Sequence, residues 1–165
     1  MKKLLLFSVI MIAFTAGTFA QSGTASATAT AVIVSPITIA KDADLSFGNI
    51  IADTDGGTVV VDPAGARTLN GLTSPSVTGT ITAASFTVTG LADATYAIIL
   101  PVSHIISSGG NNMTVDNFTS TPNATGTLTG GTQTLNVGAT LNVTGSQPAG
   151  TYTNATGFDV TVNYN

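Results

Sequence analysis

Residues Phe158 to Asn165 alternate without a break: Phe158, Val160, Val162 and Tyr164 share one face, and Asp159, Thr161, Asn163 and Asn165 the other. Only a pleated strand repeats every second residue, so this period predicts a half-buried β-strand. Chain ends usually fray. A strand carried to the last residue therefore needs a partner: the protein's own sheet, an assembly factor or a neighbouring subunit. Phe158, Val160, Val162 and Tyr164 are expected to be core whichever partner is taken, and any function of this strand lies in that choice.

The rest of the chain is written in the same style. Ile37-Thr38-Ile39 and Leu45 with Phe47 mark short strands, the second ended by Gly48. Asp55-Gly56-Gly57 is a turn signal leading into Thr58-Val59-Val60-Val61, and Pro63-Ala64-Gly65 turns the chain again. Thr80 to Thr89 reads as a strand bulged at Ala83-Ala84, where the alternation changes phase. Tyr96 to Leu100 is apolar on both faces, as a central strand would be, and Pro101 ends it. Gly109 to Asn112 is a turn before Met113 to Phe118. Leu135-Asn136-Val137 and Leu141-Asn142-Val143 repeat across Gly138, as a hairpin or as one kinked strand. Gln147-Pro148-Ala149-Gly150 is the last turn, with a strand region from Tyr152 to Tyr164 after it. Eight to ten short strands without a helical period predict an all-β fold, an immunoglobulin-like antiparallel sandwich. An up-and-down barrel would want more even strand lengths.

The first twenty residues stand apart. Lys2 and Lys3, the apolar run Leu4 to Phe14 and the small-residue site Thr18-Phe19-Ala20 form a secretory signal peptide, with cleavage expected after Ala20. The apolar run is too short to span a membrane comfortably. The mature chain, residues 21–165, is expected to be a single domain, secreted to the periplasm or the cell exterior, with no membrane insertion. It keeps two cations, Lys41 and Arg67, against eight Asp and no Glu, a net charge of −6. A surface so poor in cations gains nothing from phosphates, so nucleic acid and anionic membranes are not expected partners. The chain has no cysteine, so stability must come from packing. Thr and Val suit a pleated, half-buried surface.

Chemistry finds few residues to use. His104 is the only histidine, within Val102 to Ile106, which reads as strand or strand edge. A nucleophile-elbow pattern does not accompany it, and the eight Asp show no glycosidase spacing. Asp53-Thr54-Asp55-Gly56, with Asp62 across the hairpin, resembles the start of a calcium loop but lacks its later ligands and closing Glu. Asp-Gly is in any case what a tight hairpin turn selects. Catalytic, cofactor and metal sites are therefore not expected. Asn112, Asn117, Asn123, Asn142 and Asn154 each open an Asn-x-Thr triplet, read as a product of composition.

The N-terminal stretch of the mature chain carries the second assembly signal. Ala25 to Val34 is uncharged and alternates small or apolar residues with Thr and Ser, placing Ala27, Ala29, Ala31 and Ile33 on one face. Residues 21–34 are either the first strand of the protein's own sandwich or a strand donated to another copy. Pro36 interrupts any strand that continues from them.

Four phrases together carry a family resemblance: Ala43 to Gly48 (ADLSFG), Thr58 to Arg67 (TVVVDPAGAR), Ser85 to Gly90 (SFTVTG) and Met113 to Phe118 (MTVDNF). With Gly150-Thr151-Tyr152 and the terminal strand, they resemble the secreted bacterial family known as domain of unknown function 4402. The resemblance implies a secreted, pilin-like β-sandwich. The end of the chain is also similar to subunits of chaperone–usher fimbriae and to spore-coat-U-like secreted proteins. In those an alternating C-terminal strand closes on a penultimate aromatic residue, here Tyr164, with a glycine upstream, here near Gly150. This likeness implies self-association or association with other surface subunits, and a periplasmic chaperone as a further partner. Such subunits often carry a disulfide, which this chain cannot form.

The expected function is therefore structural or adhesive, at the cell surface, through edge-strand pairing. A secreted carbohydrate-binding sandwich is the alternative, and an inert matrix protein a third. Sugar platforms need exposed aromatics, whereas most of Phe47, Phe86, Tyr96, Phe118, Tyr152, Phe158 and Tyr164 fall on expected core faces.

Overall fold

The computed structural model describes residues 21–165; the segment expected to be a signal peptide, residues 1–20, lies outside the described residues. Val34–Asn165 forms one compact unit. It contains twelve strands: β1 (Thr38–Ala43), β2 (Ser46–Phe47), β3 (Gly57–Val61), β4 (Arg67–Asn70), β5 (Ile81–Thr82), β6 (Ala84–Thr89), β7 (Thr95–Ile99), β8 (Ser103–Ser108), β9 (Asn111–Thr121), β10 (Thr125–Thr127), β11 (Thr132–Val143) and β12 (Thr161–Tyr164). One 3₁₀ turn, Thr129–Gly131, is the only helical element among the described residues.

All pairings are antiparallel, and the organising element is β11. The Leu135–Val143 repeat resolves as one strand, not a hairpin. One edge of β11 carries two strands end to end, β6 against Thr132–Val137 and β3 against Ala139–Val143. Its other edge pairs with β9, with a register shift at Gly138. A side chain at Gly138 would collide with the Val61 carbonyl and with Asp62, so glycine is what lets β3 approach at the junction. β1 extends the sheet beyond β6, β4 beyond β3, and β8 beyond β9. A separate three-stranded sheet runs β10-β7-β12, and β2 pairs with β5. The result is an all-β antiparallel sandwich whose seven-stranded sheet curls around its contents.

The expected bulge at Ala83-Ala84 is a full break. β5 and β6 lie on either side of Ala83 and belong to different sheets. β7 is central in its sheet, between β10 and β12, as its two apolar faces require.

Two apolar clusters fill the sandwich, one toward each end of β11. The first joins Val59 and Val61 to Met113, Val115, Leu141 and Val143. The second joins Phe86, Val88, Leu135 and Val137 to Tyr96, Leu128 and Val162. Only the second contains residues of the three-stranded sheet. The first meets β2, Ile50, Ala52 and Tyr152 instead, so at that end loops stand in for an opposing sheet.

Candidate functional site

The terminal alternation is present, but its ladder is short. Phe158, Val160, Val162 and Tyr164 all pack with the second cluster, while Asp159, Thr161, Asn163 and Asn165 are exposed. Only Thr161–Tyr164 pairs with a strand, running from Thr161 opposite Ile99 to Tyr164 opposite Tyr96. The strand expected from Tyr152 is therefore cut back to four residues. Continued by two steps, the register reaches Leu100 and then Pro101, beyond the end of β7. Phe158 to Val160 keep the extended face pattern but have no ladder partner among the described residues. Further upstream, Thr153 makes an isolated bridge to Ser107, with reciprocal backbone bonds of 2.9 and 3.2 Å.

Tyr164 ties the two terminal regions of the compact unit together. Its hydroxyl donates to the Ser35 carbonyl at 2.9 Å and accepts from the Leu91 amide at 2.6 Å. Gly90 leaves the space this hydroxyl occupies, because a Cβ there would overlap it.

β1 pairs only with β6, and β12 only with β7. These two free edges, one from each sheet, lie next to each other. Between β1 and the segment Thr153–Val160 runs a groove of about 660 Å³, with Ile39, Ala43, Ala84, Phe86, Phe158 and Val160 among its walls. A second cleft, of about 800 Å³, lies over the loop-covered cluster. Leu45, Thr153, Asn154 and Phe158 line both, so the two clefts adjoin along one side of the sandwich as a divided trough.

Lys41 stands at this groove. It lies opposite Phe86 in the β1–β6 register, and opposite residues share a face, so its side chain springs from the inward side of an edge strand. With no strand covering that side, the ammonium reaches solvent and pairs with Asp44 at 2.6 Å, the two side chains being 58% and 80% exposed. Sequence reasoning did not single out Lys41 for function. Its facing depends on a partner strand more than forty residues away.

The N-terminal candidates are placed differently. From Gln21 to Ile37 the backbone has no strand assignment, and Ala27, Ala29, Ala31 and Ile33 are all exposed. Val32 and Ile33 expose 83% and 98% of their surface.

The remaining polar residues serve the fold. His104, on β8, sets Nε2 against the Asn154 amide, and the Phe158 ring meets it edge-on at 6.4 Å. Phe158 in turn packs on Phe118 at 5.0 Å. The carboxylate of Asp62 accepts the amides of Ala64 and Ala66, and that of Asp53 the amide of Thr54. Among the described residues no three His, Cys, Asp or Glu side chains come together as a metal site would need. Arg67 donates to the carbonyls of Phe47 and Asn49 and to the Ser74 hydroxyl, at 3.0, 2.9 and 2.8 Å. Around the larger cleft, Ser46, Asn49 and Gln147 donate to the backbone carbonyls of Thr80, Val77 and Asn112, each in a segment distant in sequence. Those donors are spent inside the protein.

The fold and the trough define a class: an antiparallel β-sandwich with one side open between two unpaired edges. The chain belongs to the family described as domain of unknown function (DUF4402), whose model matches residues 37–164. No curated protein and no solved structure matches the chain.

Proposed function

We propose that this chain is a secreted structural protein of the bacterial surface, a pilin-like or adhesive subunit that associates by edge-strand pairing and performs no catalysis. The observation that supports the reading is the open side, where β1 and the unpaired Phe158–Val160 segment flank a groove whose walls mix Ile39, Phe86, Phe158 and Val160 with Lys41, Asp44 and Asn154. An added strand gains there in two ways: backbone groups of a free edge accept a ladder, and alternate side chains leave water. Unprotected edges on a sheet protein with few charges favour association. A periplasmic chaperone would cover the same edge during export.

Negative-stain electron microscopy and sedimentation of the chain from Gln21 onward test the reading. Regular fibres or discrete multimers are the expected result. A strictly monomeric protein at millimolar concentration would count against it.

A further inference from the structure

We infer that the larger cleft, over the loop-covered end of the core, binds a neutral amphiphile: an unbranched hydrocarbon chain with an uncharged hydrogen-bonding end. The site lies on a different surface from the two free edges and does not depend on edge pairing.

The floor of the cleft comes from the long sheet. Ile106 of β8, Met113 and Val115 of β9, and Leu141 and Val143 of β11 share its inward face. At the other end of β11 the same face is closed by residues of the short sheet, Tyr96 and Val162 among them. Here the loops after β2 and β11 pass over it instead. Closure is less complete as a result. Phe47, Met113 and Val143 keep 9%, 8% and 7% of their surface exposed, whereas Val88, Tyr96, Leu128, Leu135 and Val137 stand at 0%. The cleft above this floor measures about 800 Å³, within the range of small-molecule sites. Each methylene laid on the floor leaves water, which is favourable. Met113, unbranched and polarizable, adapts to a chain lying across it.

Charge narrows the ligand further. Among the described residues that line the cleft, none is Asp, Glu, Lys or Arg. The Lys41–Asp44 pair belongs to the neighbouring groove. A carboxylate or phosphate would therefore leave water without a counter-ion, at high cost, and would approach a mature chain of net negative charge. Sugars fit poorly for another reason. Their hydroxyls need partners, but Ser46, Asn49, Gln147 and Tyr152 already donate to backbone carbonyls, and the floor strands present aliphatic side chains, not an aromatic plane.

One polar station remains. His104 and Asn154 meet beside Phe158, and their contact uses one nitrogen of each. An imidazole has a second ring nitrogen and a carboxamide has an oxygen, so beyond their place in the fold the two can hold a single hydroxyl or ester at that end of the cleft.

The test uses the chain from Gln21 to Asn165, in which Met113 is the only methionine. Its labelled methyl group gives one NMR signal on the floor of the cleft. Decanol should shift that signal saturably and displace Nile red, a neutral dye that brightens in apolar surroundings. Octanol, two methylenes shorter, should bind roughly fifteenfold more weakly. Decanoate and cellobiose should leave the signal in place. Ala52→Trp, which fills the cleft from its rim, should weaken decanol at least about tenfold. Ala43→Trp, in the neighbouring groove, should cost less than about twofold. Circular dichroism checks that both variants fold; should Ala52→Trp fail to, the chain-length series on the unaltered protein carries the test. An unmoved Met113 signal with decanol, or equal binding of decanol and octanol, overturns the site. Decanoate binding as tightly as decanol overturns the neutral end. A shift with cellobiose and none with decanol overturns the ligand class in favour of a sugar. None of these outcomes bears on edge pairing, which fibres or multimers decide.

Discussion

Arg67 does the work of several ordinary contacts at once. Its guanidinium bridges the carbonyls that flank Gly48 to the Ser74 hydroxyl, joining the loop after β2 to the loop after β4. Hydrogen bonds from a charged donor are worth roughly 1.5–3 kcal/mol in such settings. Arg67→Met, which keeps the stem and removes the fork, should destabilise the fold by about 2 kcal/mol in urea titrations. Tyr96 is the other residue with a measurable signature. Its ring is fully buried, its hydroxyl donates to Gln133 Oε1 at 2.8 Å, and burial raises its pKa above the ordinary 10. The folded chain thus holds the phenolic proton more tightly than the unfolded one. Stability from this group is complete below pH 10 and falls as pH rises through the folded value. Alkaline melting series should show a decline beginning near pH 10, smaller in Tyr96→Phe, which also costs about 1 kcal/mol at neutral pH. A pH response identical in the two proteins would remove Tyr96 from the explanation.

Among the elements, β11 shows how much a strand pattern can say and where it stops. The Leu-Asn-Val repeat announces a buried stretch on either side of Gly138 in the sequence, yet whether it folds back there depends on what passes beside it. Here β3 and β6 share one edge of β11 at that point, and the collision a Cβ would make with Val61 explains the glycine. Gly138→Val should therefore lower stability by about 2–3 kcal/mol, an overpacking cost, and slow amide exchange should be lost first in β3. β12 teaches a related lesson. The alternation from Phe158 places every apolar side chain inward, as expected, because facing is a local property with period two. Ladder length is not local: it is set by Pro101, which ends β7 sixty residues earlier. Ala83 divides β5 from β6 for the same class of reason. Residues 21–34 have strand-like composition without strand pairing, since composition supplies propensity and a strand needs a neighbour. His104 was legible as a strand residue; its contact with Asn154 and Phe158 was not.

At the scale of the whole molecule, the short sheet covers one half of the long one, and loops cover the rest. The uncovered margin carries the groove, and the charge pair at its rim is the single salt bridge among the described residues. An exposed pair of this kind contributes roughly 0–1 kcal/mol. With stability resting on burial and ladders, melting temperature should move by less than about 3 °C between 0.05 and 1 M NaCl. A larger fall would mean that ion pairing does more than this one contact allows. The all-β class was legible from turn spacing and strand composition. The open side was not, because it is a property of two edges that come together only in three dimensions.

The Tyr164 latch has a mechanical consequence. Its hydroxyl holds Ser35, at the entry to β1, against the penultimate residue of the chain. Tension arriving along the backbone at Ser35 therefore divides between two routes: directly along β1 into its ladder with β6, and sideways through Tyr164 into β12 and the short sheet. Pulled along its axis, β1 must break its ladder bonds together instead of one at a time. A phenol on the last strand thus couples both sheets to one load, and Tyr164→Phe should lower the unfolding force in single-molecule pulling from the N-terminal side while leaving the groove in place.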